Sequence, residues 1–93
     1  MGLPAIEHDR AIRRFELEVE GHRAELQYRL GGGRLAIVHT GVPTAIGGRG
    51  IAARLVEAAV GFAREQGLRV VPECSYAEAF FRRHPQYGDV LAG

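Results

Sequence analysis

Ile46-Gly47-Gly48-Arg49-Gly50-Ile51-Ala52 marks the point where the hydrophobic period of the chain changes. Downstream, from Arg49 to Gln66, the period is helical: Ile51, Leu55, Ala59 and Phe62 form one stripe, with Ala52, Val56 and Ala63 beside it, and Gly67 is placed to cap the C-terminus. Upstream, Leu35-Ala36-Ile37-Val38-His39-Thr40 is almost continuously apolar, the pattern of a central strand covered on both faces. That strand is expected to end or splay at Gly41-Val42-Pro43, because proline has no amide hydrogen to continue a ladder. A turn leading from a buried strand into a helix presents unpaired backbone amides and the positive end of the helix dipole, and glycines let an anion approach the main chain. The stretch lacks the Gly-Lys-Ser/Thr of a Walker A loop and the glycine spacing of the dinucleotide fingerprint. The same glycines would also suit a turn that only lets the helix pack closely on a sheet.

Before this core, Phe15, Leu17 and Val19 alternate with Glu16, Glu18 and Glu20, and after Gly21-His22 the alternation resumes as Ala24, Leu26, Tyr28 and Leu30. A two-residue turn at Gly21-His22 would set Val19 opposite Ala24, Leu17 opposite Leu26 and Phe15 opposite Tyr28, at the cost of facing Glu18 with Glu25. Gly31-Gly32-Gly33 joins this hairpin to the apolar strand. Beyond the helix, Leu68 to Val71 is a short buried strand stopped by Pro72, and Tyr76 to Arg83 a second helix stopped by His84-Pro85. The order β-β-β-α-β-α contains a βαβ unit, so the third and fourth strands are expected side by side and parallel.

The 93 residues suit one domain, and 46% hydrophobic with 25% charged residues is an ordinary globular composition. A formal charge of +1 is too balanced to drive nucleic-acid or membrane binding through the overall field. Met1 to Arg14 holds two acids, three arginines and no long apolar stretch, so residues 1–12 read as a flexible leader rather than a signal peptide or a membrane span. The single cysteine, Cys74, excludes an internal disulfide framework and fits a reducing, cytoplasmic setting. The four histidines and Cys74 show no metal-ligand spacing. A monomer or weak dimer is expected, since an exposed sheet edge can pair between copies.

The glycine stretch resembles the pyrophosphate loop of the GNAT acetyltransferase superfamily, Gln/Arg-x-x-Gly-x-Gly/Ala, through Gly50-x-Ala52. Three further stretches extend the resemblance: His39-Thr40-Gly41-Val42-Pro43, Pro72-Glu73-Cys74-Ser75-Tyr76 and Arg83-His84-Pro85-Gln86-Tyr87. With the loop they resemble the small, abridged GNAT-like proteins of the NATD-type group over roughly the C-terminal two thirds of the chain. The resemblance implies an α/β (α+β) fold with a mixed sheet of four or five strands and two helices, over residues 1–93 as a single domain. It also implies acetyl-CoA or coenzyme A as co-substrate, held at Thr40 and Val42 and along Gly47, Gly48, Arg49, Gly50, Ile51 and Ala52, with Arg82 and Arg83 available to its phosphates. Two departures stand out: Gly47 replaces the expected Gln or Arg, and Phe80-Phe81 stands where many GNAT enzymes have Phe-Tyr, the Tyr being the acid that protonates the leaving thiolate.

The expected activity is acetyl transfer to an unidentified amine, a small molecule or a peptide; the alternative is a non-catalytic module that binds CoA, acyl-CoA or a protein. By the resemblance, Cys74 lies where the thioester should sit, as a nucleophile or a thiol that steers the acyl group, although a lone cysteine after a strand also serves as a small hydrophobe. Tyr76 is a candidate acid or a packing ring, and His39 a candidate base or a structural histidine. Glu73 is a lesser candidate base, His84 reads as a helix terminator, and Arg54 and Arg69 read as surface charges.

Overall fold

A computed structural model describes residues 4–92. Five strands, β1 (Glu7–Asp9), β2 (Arg14–Val19), β3 (His22–Gly31), β4 (Arg34–Gly41) and β5 (Arg69–Pro72), lie in that order in one sheet. All neighbours are antiparallel except β4 and β5, which are parallel and joined through helix α1 (Ile51–Gln66), as the βαβ pattern predicts. A shorter helix, α2 (Ser75–Arg83), follows β5. The α+β fold with a mixed sheet and two helices agrees with expectation.

The helices cover one face of the sheet. Phe15, Leu17, Leu26, Leu35, Ile37 and Val70 from the strands pack with Leu55, Val56, Ala59 and Val60 of α1 and with Ala77, Phe80 and Phe81 of α2 in a single apolar cluster. Ala36, between Leu35 and Ile37, is also buried but lies outside that cluster, on the opposite face. The apolar run of β4 therefore marks a central strand, as expected, yet only one of its faces is covered by helices.

Two sequence expectations need correction. The β2–β3 turn is Glu20-Gly21, with φ of 53° and 80°, so Val19 pairs with His22, Leu17 with Ala24 and Phe15 with Leu26. Positive φ at both central residues is the type I′ turn that matches strand twist, and glycine at its second position is what that turn favours. The shift changes every partner by two residues, which keeps each side chain on its face. It also sets Glu18 opposite Arg23 in place of Glu25. Glu25 instead faces Glu16, and Arg14 bridges them, with Nε 3.1 Å from Glu25 and Nη1 3.6 Å from Glu16.

The second correction concerns the leader, in which Glu7–Asp9 forms β1 against β2. His8 is the anchor: its ring stacks on Phe15 at 3.9 Å, meets Phe62 edge-on at 4.5 Å, and its Nε2 lies 2.6 Å from the Tyr28 hydroxyl. Burial, helped by the Arg10 charge, lowers the His8 pKa below its usual 6.5. The unfolded chain then binds the extra proton first as pH falls, so this contribution is complete above 6.5 and declines as pH drops through 6.5 toward the folded value. Urea unfolding of the wild type between pH 7.5 and 5 is expected to show this loss, and His8→Phe to flatten it.

Gly67 ends α1 with φ of 69°, its N–H donating to Ala63 and Arg64, while Leu68 N–H closes on the Ala63 carbonyl at 2.8 Å. A Cβ on Gly67 would meet nothing within 4 Å, so only the backbone conformation penalises a side chain there. Gly67→Ala is expected to cost about 1 kcal/mol in urea unfolding.

Candidate functional site

The site grows from an irregularity in β4. Gln27 pairs with His39 and Tyr28 with Ile37, which leaves Val38 as an extra, bulged residue. On the other side, the ladder with β5 stops at Ile37↔Pro72, while β4 runs on to Gly41 paired only with β3. The Ile37 carbonyl closes the ladder by accepting from both Glu73 N–H at 3.0 Å and Cys74 N–H at 3.1 Å. The chain turns into α2 there, and the two parallel strands diverge. The second half of β4 thus faces an opening where β5 has ended.

Past Pro43 a single 3-10 turn (Thr44–Ile46) brings the chain round, with Gly47 N–H bonded to the Thr44 carbonyl at 3.0 Å. A Cβ on Gly47 would lie 3.3 Å from that carbonyl oxygen, a close approach that favours glycine where the resemblance leads one to expect Gln or Arg. Gly48 and Gly50 both have φ of 74°, and Gly50 is the N-cap of α1. The first helical hydrogen bond runs from Arg54 N–H to the Gly50 carbonyl, so the N–H groups of Ile51, Ala52 and Ala53 have no partner within the helix. No acidic side chain occupies the first turn. Beside these amides is a groove of about 250 Å³ lined by Val42, Gly48, Gly50, Ala52, Ala53 and Tyr76. Such a groove suits an elongated ligand with an anionic group at the helix end.

Residues 14–90 match the family described as GCN5-related N-acetyl-transferase. The chain belongs to this family. It is 41% identical over 83 residues to Protein NATD1 of Bos taurus, and 39% identical to Protein NATD1 of Homo sapiens; each alignment covers 86% of this chain and 74% of the relative. The NMR solution structure of a GCN5-like protein from Staphylococcus aureus superimposes with a TM-score of 0.78 at 31% identity, covering all of this chain and 92% of the other. The chain therefore carries a GCN5-related acetyltransferase domain, and the matched segment runs from β2 to the turn after α2.

Within that family frame, the predicted site residues separate into two groups. Thr40, Val42, Gly47 to Ala52, Cys74 and Tyr76 come together at the divergence of β4 and β5 and the start of α1. Cys74 is the N-cap of α2: its Sγ accepts the Ala77 N–H at 3.4 Å and lies 3.6 Å from the Thr40 hydroxyl. Tyr76 is half-buried, and burial raises its phenol pKa, against the nearby Arg83 charge and with Glu57 adding to the rise. Its phenol stays protonated. Phe81, at the position of the expected tyrosine, is buried in the core.

His39 stands apart. It is paired with Gln27 on the open face of the sheet, opposite to the face on which Thr40 meets Cys74. Arg49 is held by a two-pronged ion pair with Glu20 of the β2–β3 turn, at 2.9 and 3.1 Å. Arg82 sits 3.7 Å from Glu78 on the exposed side of α2, whereas Arg83 is near enough to Tyr76 to act on its phenol. Glu73 is paired with Arg29 at 2.9 Å on the open face. His84 caps α2 with Nδ1 2.9 Å from the Phe80 carbonyl and its ring stacked on Phe80 at 4.2 Å. Arg54 donates to the Pro4 carbonyl, and Arg69 to that of Asp89. Glu20 and Arg29, which claim two charges of the site, are not legible in the sequence as its members; only the Glu20-Gly21 turn leaves a local trace, because both ion pairs span nearly thirty residues or more.

Proposed function

We propose that the groove binds acetyl-CoA and that the domain transfers its acetyl group to an amine. The observation that carries this is the conjunction of a half-unpaired β4 edge with an acid-free helix N-terminus at one end of the same groove. The N–H groups from Gly48 to Ala53 hold the pyrophosphate. The edge of β4 from Val38 to Gly41, with Val42 just beyond it, supplies amides and carbonyls to the pantetheine arm, as a further strand would. This leaves the thioester beside Cys74 and Thr40. The neutral amine attacks the thioester carbonyl, the carbon–sulfur bond breaks, and the thiolate takes a proton to leave as free CoA. Tyr76, kept protonated by burial, is the donor at hand, in place of the phenol that Phe81 lacks.

Release of free thiol from acetyl-CoA, followed with a panel of amines, tests the transfer. Tyr76→Phe and Cys74→Ala are each expected to lower kcat by about tenfold or more with little change in the Kd for acetyl-CoA. Tight binding with no thiol release for any amine would favour a non-catalytic CoA-binding module, a reading that the buried Phe81 supports.

A further inference from the structure

The open face of the sheet carries a second cavity, over the last paired residues of β4 and β5 before they diverge. It measures about 250 Å³ and is lined by Arg29, Arg34, Ala36, Val71 and Glu73, with Leu30 and Gly31 at one end. Its floor is Ala36 and Val71, which pair across β4 and β5. Ala36 is buried here, outside the main core, so the cavity has an apolar base on a face with no helix over it. Its walls are charged. Arg29, opposite Ala36, reaches across to Glu73 at 2.9 Å, and Arg34 at the start of β4 has no carboxylate within ion-pair distance among the described residues. Two guanidiniums thus stand against one carboxylate.

The register orders these charges along the slot. Arg34 pairs with Arg69, and Glu73 lies four residues beyond Arg69, just past the end of β5, so the free cation and the carboxylate occupy opposite ends of the apolar floor. Four strand residues span roughly 13 Å of backbone, which the long side chains at each end reduce to a gap that a few carbon atoms can bridge. Glu73 is the end next to Cys74, with which it shares the Ile37 carbonyl.

We infer that this slot receives the acetyl acceptor, and that the acceptor is a small amine that also carries a carboxylate: the ammonium group pairs with Glu73 near the divergence of the strands, and the carboxylate pairs with Arg34. Charge complementarity selects this class, because a simple amine leaves Arg34 unmatched and a diamine brings a second cation against two arginines. The inference rests on the acetyl-CoA reading, which places the thioester beside Cys74 and Thr40 on the helix-covered face, so the amine reaches it through the gap past Ile37 and Pro72, where β4 and β5 are no longer paired. Transfer is then balanced: the ammonium loses one proton to water at the open slot to become the attacking amine, the nitrogen–carbon bond replaces the carbon–sulfur bond, and the second proton of the nitrogen ends on the CoA thiol.

The test separates the acceptor slot from the coenzyme. Isotope-labelled protein without acetyl-CoA is titrated by NMR with glycine and 4-aminobutyrate and, in parallel, with glycinamide and 4-aminobutanamide. Saturable shifts at the amides of Ala36, Val71 and Glu73 are expected for at least one carboxylated amine, about tenfold weaker for its amide, with the same loss in Arg34→Ala. Shifts that are absent from the cavity, or equal for acid and amide, overturn the proposal. Thiol release from acetyl-CoA is measured on the same samples. Cavity shifts without turnover uphold binding of a carboxylated amine but overturn its role as acetyl acceptor, whereas turnover with amides as good as acids overturns the slot and leaves acetyl transfer standing.

Discussion

Gly50→Glu is expected to lower the affinity for acetyl-CoA by about 100-fold or more while leaving the fold intact, because placing a carboxylate against an anion costs several kcal/mol. Gly50 is the N-cap of α1 with φ of 74°, and a Cβ there meets nothing within 4 Å, so the new side chain enters the groove rather than the core. The left-handed backbone adds a folding penalty of about 1 to 2 kcal/mol for any side chain at this position. Gly50→Ala carries that same penalty without the charge and is expected to stay within about tenfold of wild-type affinity. Calorimetric titration of both variants, with thermal unfolding to verify the fold, makes the comparison. Equal affinity of the glutamate and alanine variants would mean that no anion sits at this helix end.

The largest loss of stability is expected from Leu55→Ala. Leu55 is fully buried between α1 and the sheet, in the cluster that includes Leu26, Ile37 and Val70. Truncating such a side chain removes its transfer free energy and leaves a cavity, for a cost of about 2 to 5 kcal/mol. A domain of this size holds only roughly 5 to 15 kcal/mol in total, so a large share of its stability goes with one side chain. The urea midpoint is expected to fall with an unchanged slope. The same substitution loosens the helix whose N-terminus forms the groove, so weaker coenzyme binding should accompany the loss. A cost below about 1 kcal/mol would contradict the packing of α1 described here.

The parts of this architecture that were legible in the sequence are those set by local pattern. The helical stripe from Ile51 to Ala63 and the glycine junction before it lie where the periodicity and the breakers put them, and the short strand expected from Leu68 to Val71 lies one residue later, at Arg69–Pro72, with Pro72 as its last paired residue. The hairpin faces were correct but the partners were not, because alternation fixes the face of each residue and is silent about a shift of two. Gly21, with φ of 80°, decided the turn. Strand β1 was illegible: Glu7, His8 and Asp9 have no apolar alternation, and they pair because His8 fills an aromatic site built by Phe15 together with Tyr28 and Phe62, the last two distant in sequence.

The candidate site shows the same division. The glycine loop and the divergence of β4 could be anticipated, since Pro43 and Pro72 are visible breakers. The destination of each charged side chain could not. Arg49 looks like a phosphate ligand until Glu20 is seen beside it, and Glu73 looks like a loose surface charge until Arg29 is seen to hold it. His39 reads in the sequence as a candidate base or a structural histidine, and the bulge at Val38 leaves it on the other side of the sheet from Thr40 and Cys74.

The measurement that bears most directly on the central claim is a calorimetric titration of the wild-type protein with acetyl-CoA and, separately, with S-acetylpantetheine, which keeps the thioester arm but lacks the pyrophosphate. Micromolar binding of acetyl-CoA is predicted, with the truncated compound weaker by about 100-fold, because it forgoes the charge-assisted bonds to the amides from Gly48 to Ala53. No binding of acetyl-CoA, or equal binding of the two compounds, would contradict the assignment of this loop and helix as a coenzyme site.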